Sequence, residues 1–179
     1  VDQFKAGAVY SSIDRNGRYA YGRQPHILHW NMARLAEALL PAIHAVEEAD
    51  VEAAKARVET VPQRFRVAWE SVLRAKLGLG GAQQDGDREL FEAMFAIMEQ
   101  EQADFTGFFR ALSGYLRGDE GGLADYGGAA WDGWLSQWKA RAGAAGLADA
   151  AERADAMDRV NPLYIPRNHL VEAALAKAE

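Results

Sequence analysis

Cysteine is absent from the 179 residues, which removes disulfide frameworks, thiol nucleophiles and zinc knuckles from consideration. A basic surplus is missing as well: 20 Lys and Arg face 26 Asp and Glu, for a net charge of −6 and a pI near 5.3. That overall field argues against non-specific nucleic-acid binding, which needs cations to displace phosphate counterions. It argues equally against docking on an anionic membrane. No uninterrupted apolar run approaches the roughly 20 residues that span a bilayer, and the first residues carry no signal-peptide pattern. The expected compartment is the cytoplasm. What is present is ordinary for a soluble protein, 49% hydrophobic and 26% charged residues, in a length that suits one domain with a proper core.

Periodicity divides the chain at about residue 24. Before it, Tyr10, Ile13, Tyr19 and Tyr21 flank Asn16-Gly17, a pair that supplies the positive φ values of a tight hairpin turn. Two short strands or an ordered extended segment are expected here, too short to stand alone as a sheet. From Pro25 the period is helical. Leu28, Met32, Leu35 and Leu39 form one apolar stripe ending before Pro41. Further helices are expected after Asp50 and after Pro62, the latter with Phe65, Trp69, Val72, Leu73 and Leu77 on one side and Gly78 as its stop. Asp87 is expected to cap a helix carrying Phe91, Met94, Phe95 and Met98.

Two aromatic stripes follow, Phe105/Phe108/Phe109/Leu112/Leu116 and Trp131/Trp134/Leu135/Trp138, separated by a glycine-rich connector from Gly118 to Gly128. Ala144 to Val160 reads as helical, Asn161-Pro162 breaks it, and Pro166 opens a last helix, Arg167 to Lys177. The expected fold is all-α, seven or eight helices, with residues 1–24 as an extended or β-hairpin region and 25–179 as the helical domain.

Candidate chemistry is thin. His26 and His29 lie three apart on the first helix, half of a metal site, but no third ligand is marked; His44 and His169 are scattered, and surface or cap histidines are the plainer reading. Ser11 and Ser12 near Asp14 lack the Gly-x-Ser-x-Gly elbow of a serine nucleophile and read as turn residues. Gly78-Leu79-Gly80-Gly81 follows a helix and lacks the Lys-Ser/Thr of a phosphate loop. Asp125-Tyr126-Gly127 looks like a kinase magnesium motif, yet no Asn-bearing catalytic loop precedes it; a helix-start region is expected. The three tryptophans could stack bases, but indoles at helical spacing read as core. Acidic pairs such as Glu47-Glu48 and Asp119-Glu120 read as solvated surface. More unusual are polar residues inside apolar patterns: Trp30-Asn31 and Arg34 in the first helix, Arg167-Asn168 in the last. A buried Asn or Arg needs partners, because an unsatisfied polar group costs about 1–3 kcal/mol. They form either a structural network or a contact surface for a missing partner.

Three segments together resemble the selenoprotein O family (SelO, bacterial YdiU), the kinase-like protein adenylyltransferases. Ser11-Ser12-Ile13-Asp14-Arg15-Asn16-Gly17-Arg18-Tyr19-Ala20-Tyr21-Gly22-Arg23-Gln24-Pro25 runs into Trp30-Asn31-Met32-Ala33-Arg34-Leu35-Ala36, like the family's Gln-Pro…Trp-Asn-x-x-Arg-Leu-Ala pattern. Asn161-Pro162…Arg167-Asn168 is similar to its Asn-Pro…Arg-Asn signature. Looser similarity covers Arg74 to Gly78 and Asp104 to Arg110, so the resemblance spans nearly the whole chain.

The resemblance implies a protein-kinase-like fold in the full-length protein, which would transfer AMP from ATP to protein Ser, Thr or Tyr hydroxyls with Mg²⁺ or Mn²⁺. The family's glycine-rich loop, ATP-contacting lysine, phosphate-binding arginines, catalytic Asp-Asn pair and Asp-Tyr-Gly metal motif all precede the segment matched by Ser11 to Pro25. None can be carried to a residue here; Asp125-Tyr126-Gly127 falls more than a hundred residues too late.

The expectation is therefore a fragment, an activation-segment-like stretch followed by the helical part of a C-lobe, with no catalytic, cofactor or metal residue of its own. Its partner would be the absent N-terminal part of the same chain, and protein substrates would be partners of the whole. The family's C-terminal tail, selenocysteine-bearing in eukaryotic relatives, is also expected to be missing. Arg15, Arg18 and Arg23, nearest the absent nucleotide site, would contact protein substrate or flanking loops; Trp30, Asn31, Arg34, Arg167 and Asn168 are interaction or structural candidates. Two other readings stay open: a free-standing helical interaction module, and a metal-dependent hydrolase built on His26, His29 and a carboxylate.

Overall fold

The structure, a computed structural model, describes residues 3–11, 13–44, 51–80, 82–144 and 149–178, without the side chains of residues 44 and 144. Among them are eight α-helices, two 3₁₀ turns and no strand, so the all-α expectation holds. The helices are α1 (Gln24–His44), α2 (Val51–Glu59), α3 (Val61–Lys76), α4 (Asp87–Gln100), α5 (Phe105–Leu116), α6 (Ala129–Ala144), α7 (Ala150–Val160) and α8 (Asn168–Ala178). The 3₁₀ turns are Tyr21–Arg23 and Gly121–Tyr126. The chain forms two compact units, Lys5–Val72 and Val1–Phe4 with Leu73–Glu179.

The larger unit carries a dense aromatic core. α5 packs against α7 and against the second 3₁₀ turn, and α4 packs against α6. Phe91, Met94, Met98, Phe108, Phe109, Leu112, Trp131, Trp134 and Trp138 are all at most 2% exposed, so the helical stripes are buried faces. Phe108 sits at the hub, 4.8 Å from Trp131, 5.4 Å from Trp134 and 5.1 Å from Tyr126 between ring centroids, in tilted and edge-to-face contacts that add to simple area burial. Trp134 Nε1 donates to the Leu90 carbonyl at 2.8 Å and Trp138 Nε1 to Leu77 at 2.9 Å, which satisfies both indoles. Phe4 joins this core, its ring 5.2 Å from Phe95 and its N–H bonded to the Ala103 carbonyl.

Caps explain several boundaries. Asp104 accepts from Thr106 N and Gly107 N at the start of α5, and Asp149 accepts from Ala151 N at the start of α7. α3 closes on Gly78, at φ +63°. Leu79 N reaches back to Arg74 O, a Schellman-type end in which only glycine sits comfortably.

Some boundaries differ from expectation. α1 does not stop before Pro41 but carries it inside, in its last turn, where the missing amide removes one bond back to the preceding turn and leaves the earlier ones in place. Asp87 is not the cap of α4. That position is Gly86, at φ +89° with no side-chain bond, and Asp87 instead pairs with Arg141. The glycine connector contains the Gly121–Tyr126 turn, and Asp125-Tyr126 closes that turn rather than opening a helix. The expected helix from Ala144 is described from Ala150; residues 145–148, like Ser12, Glu47-Glu48, Asp50 and Gly81, lie outside the described residues.

Candidate functional site

The smaller unit begins with a loop fixed from within. Both oxygens of Asp14 are taken by backbone amides, Oδ1 by Arg18 N and Oδ2 by Tyr19 N, each at 2.8 Å. Gly17 adopts φ +65°, as the Asn16-Gly17 reading requires, but the amides a hairpin ladder would use are bound to Asp14 instead. Side-chain capture of this kind competes with strand pairing, and the segment is an ordered loop with no strand among its described residues. The loop ends are held together by Tyr21 N to Ala8 O at 3.1 Å and Gly22 N to Ala6 O at 2.8 Å. Arg23 Nη1 donates to Asn16 O at 3.1 Å and Gln24 Nε2 to Tyr19 O at 2.7 Å.

From this frame Arg15 and Arg18 stand exposed. The Arg18 guanidinium lies 4.4 Å from the centre of the Trp30 ring, on α1, and Arg34 approaches the same ring at 5.5 Å. Such stacking contributes about 0.5–1 kcal/mol at an exposed site and fixes the direction of a flexible cation. Arg34 also pairs with Glu37 at 2.6 Å. Trp30 itself is 47% exposed. The structure thus joins Arg18, Trp30 and Arg34, while Arg23 is tied into the loop. Asn31 is exposed on α1.

In the same unit an apolar hollow of about 430 Å³ is lined by Tyr21, Gly22, Pro25, Phe65, Arg66 and Trp69. Burial raises the Tyr21 phenol above its ordinary range, although the Trp69 indole N–H donates to it and opposes the shift. One cation on an aromatic and proline wall can hold a ligand; it offers no acid–base pair or nucleophile.

The remaining candidates are dispersed. Arg167 is half-buried just before α8, and Asn168 is exposed as its first residue, both in the larger unit. His26 is exposed and His29 half-buried on α1; among the described residues no three His, Asp or Glu side chains gather as a metal site. Asp125 and Tyr126 line a polar hollow of about 550 Å³ with Asp104, Arg110 and Asp119. There burial, aided by Asp104 and Asp125, pushes the Tyr126 phenol up to about 12.

Sequence reasoning missed the long-range polar pairs of the larger unit. Arg141 Nε meets Asp87 Oδ1 at 2.6 Å and Nη2 meets Oδ2 at 3.2 Å. Asn161 exchanges two bonds with Lys76, 2.8 Å to its carbonyl and 2.7 Å from its ammonium. Asp158 receives Ser113 Oγ, Arg110 and Arg117. No local spacing signals such pairs; Asp87 stood out only as a cap, and Asn161 only as a residue before a proline at a helix end.

The family model described as protein adenylyltransferase SelO matches residues 1–179, and the chain belongs to that family. The protein nucleotidyltransferase YdiU of Sphingopyxis alaskensis is 56% identical over 182 residues, covering 100% of this chain and 37% of the relative. Proteins of the same name from Cereibacter sphaeroides (strain KD131) and Rhizobium leguminosarum bv. trifolii are 46% and 43% identical, each over 99% of this chain and 36% of the relative. The chain therefore spans little more than a third of the length of these relatives.

Proposed function

We propose that this chain is the non-catalytic helical part of a SelO-type protein nucleotidyltransferase, whose full-length form transfers AMP from ATP to hydroxyls of protein substrates. The observation that carries the reading is the match over every residue of the chain to relatives of which it spans 36–37%. A surface feature supports it. The α1 stripe is formed as expected, yet Leu28, Leu35 and Leu39 stay between 37% and 49% exposed, and clustered apolar side chains at a surface mark ground for further polypeptide to cover.

Nucleotidyl transfer needs a triphosphate, its metal ion and positioned charges. Mg²⁺ or Mn²⁺ would supply charge neutralisation of the triphosphate, but the described residues provide no donor set that fits either ion, so no step is assigned to them. The contribution assigned to this chain is support: a rigid aromatic core, and the Asp14-ordered loop carried against α1. A kinase-like C-lobe, with residues 1–24 as its activation-segment-like entry, is part of the same proposal.

Incubating the full-length protein and residues 1–179 separately with α-labelled ATP, divalent metal and a protein mixture tests this. Label on protein from the full-length form alone is the expected result. Transfer by residues 1–179 would overturn the non-catalytic role; no transfer by the full-length form would overturn the activity and favour a free-standing interaction module.

A further inference from the structure

Between Lys5 and Glu37 the sequence carries five cationic side chains, Lys5, Arg15, Arg18, Arg23 and Arg34, and two carboxylates, Asp14 and Glu37, in a chain whose net charge is −6; Glu37 is paired with Arg34. Both Asp14 oxygens are bound to backbone amides, so its hydrogen-bonding capacity is spent inside the loop and no guanidinium is paired with it. Arg18 is held by the face of Trp30 rather than by an acid. Stacking leaves the N–H edges of a guanidinium open for a planar, two-toothed bond to a carboxylate. An exposed indole beside oriented arginines also has the composition of an interface anchor.

We propose that the face formed by Arg18, Trp30 and Arg34, with the exposed Arg15 on the same loop, docks an acidic polypeptide segment, one rich in Asp and Glu. Charge complementarity selects the partner. The patch is positive against an otherwise acidic chain, which steers acidic segments toward it and repels basic ones. Arg15 and Arg18 each take one carboxylate, Arg34 stays paired with Glu37 beside the Trp30 ring, and the indole packs the intervening aliphatic stem. Placing that segment on a protein substrate rests on the nucleotidyltransferase reading; the docking itself does not.

Fluorescence anisotropy of a fluorescein-labelled Glu/Ser peptide, titrated with the full-length protein without nucleotide, tests the proposal. The expected result is binding that weakens steeply with added salt, that a Gln/Ser peptide does not share, and that falls about tenfold in Arg15→Gln/Arg18→Gln. Arg18→Lys keeps the charge but loses the planar fork, and is expected to fall between the two. Lys55→Gln, on α2, removes one charge elsewhere and is expected to bind as the parent does. Absence of peptide binding, an equal loss in Lys55→Gln, or tighter binding of a single-stranded RNA probe would overturn it. Anisotropy needs no catalysis, so its failure and a failure of label transfer are separate results.

Discussion

Asp87 and Arg141, 54 positions apart, meet as a two-toothed ion pair that is almost wholly buried, with side chains 1% and 10% exposed. The pair ties the first turn of α4 to α6, and Arg141 further donates to the Leu79 carbonyl at 3.2 Å. Burial by itself pushes the Asp87 carboxyl up; the Arg141 bonds, the Gln84 amide and the charges of Arg141 and Arg74 outweigh it, and the group sits below its ordinary 3.8.

Arg141→Ala is expected to destabilise the larger unit by about 3–5 kcal/mol, because it strands a buried carboxylate. Denaturant unfolding at neutral pH measures this. With the folded pKa depressed, the stability from Asp87 is complete above 3.8 and drains away as pH falls through the lower folded value. Acid unfolding of Arg141→Ala should therefore show a smaller stability loss below pH 3.8 than the parent.

Gly78 combines φ +63° with crowding: a Cβ there would lie 2.6 Å from Met157 Sδ and 2.9 Å from Arg153 Cγ. Gly78→Ala is expected to cost more than about 1 kcal/mol through strain alone. Adding Met157→Ala relieves the closest contact while opening a cavity, so the double variant should be less destabilised than the sum of the singles. Thermal unfolding of the four proteins checks both statements.

Asn161 is 1% exposed, and its amide closes the reciprocal link with Lys76. Asn161→Ala leaves the Lys76 carbonyl without this bond, and about 1–3 kcal/mol should be lost. Asn161→Asp is the sharper variant, since it cannot donate to that carbonyl but can still receive the ammonium. Chemical denaturation at pH 7 should rank parent, Asp and Ala in that order.

Tyr126 should contribute a phenol step near 12 in an absorbance titration. Tyr126→Phe should remove that step. Asp104→Asn keeps the cap of α5 but removes one charge, and should lower the value only part of the way toward 10.0 because burial is the larger cause. A raised folded pKa gives stability that is whole below 10.0 and is lost as pH climbs through about 12.

These residues show what was legible in the sequence. The stripes of Phe105 to Leu116 and Trp131 to Trp138 repeat at the helical period, so their burial followed from spacing alone. Gly78 was readable as a stop because a helix end needs a left-handed residue. The Asp14 loop was not: Asn16-Gly17 signals a turn equally well with or without strands, and the deciding event is where one carboxylate finds its amides. Asp87 next to a glycine looked like a cap for the same reason, while its partner lay too far along the chain to be heard. Within the candidate site, Arg18, Trp30 and Arg34 were separately conspicuous, but their stacking depends on how the loop folds back onto α1, which no spacing encodes.

Calorimetric titration of ATP with Mg²⁺ into residues 1–179 and into the full-length protein most directly asks where nucleotide chemistry is housed. Heat of binding is expected from the full-length protein and none from residues 1–179. Equal affinity in both would contradict the non-catalytic role.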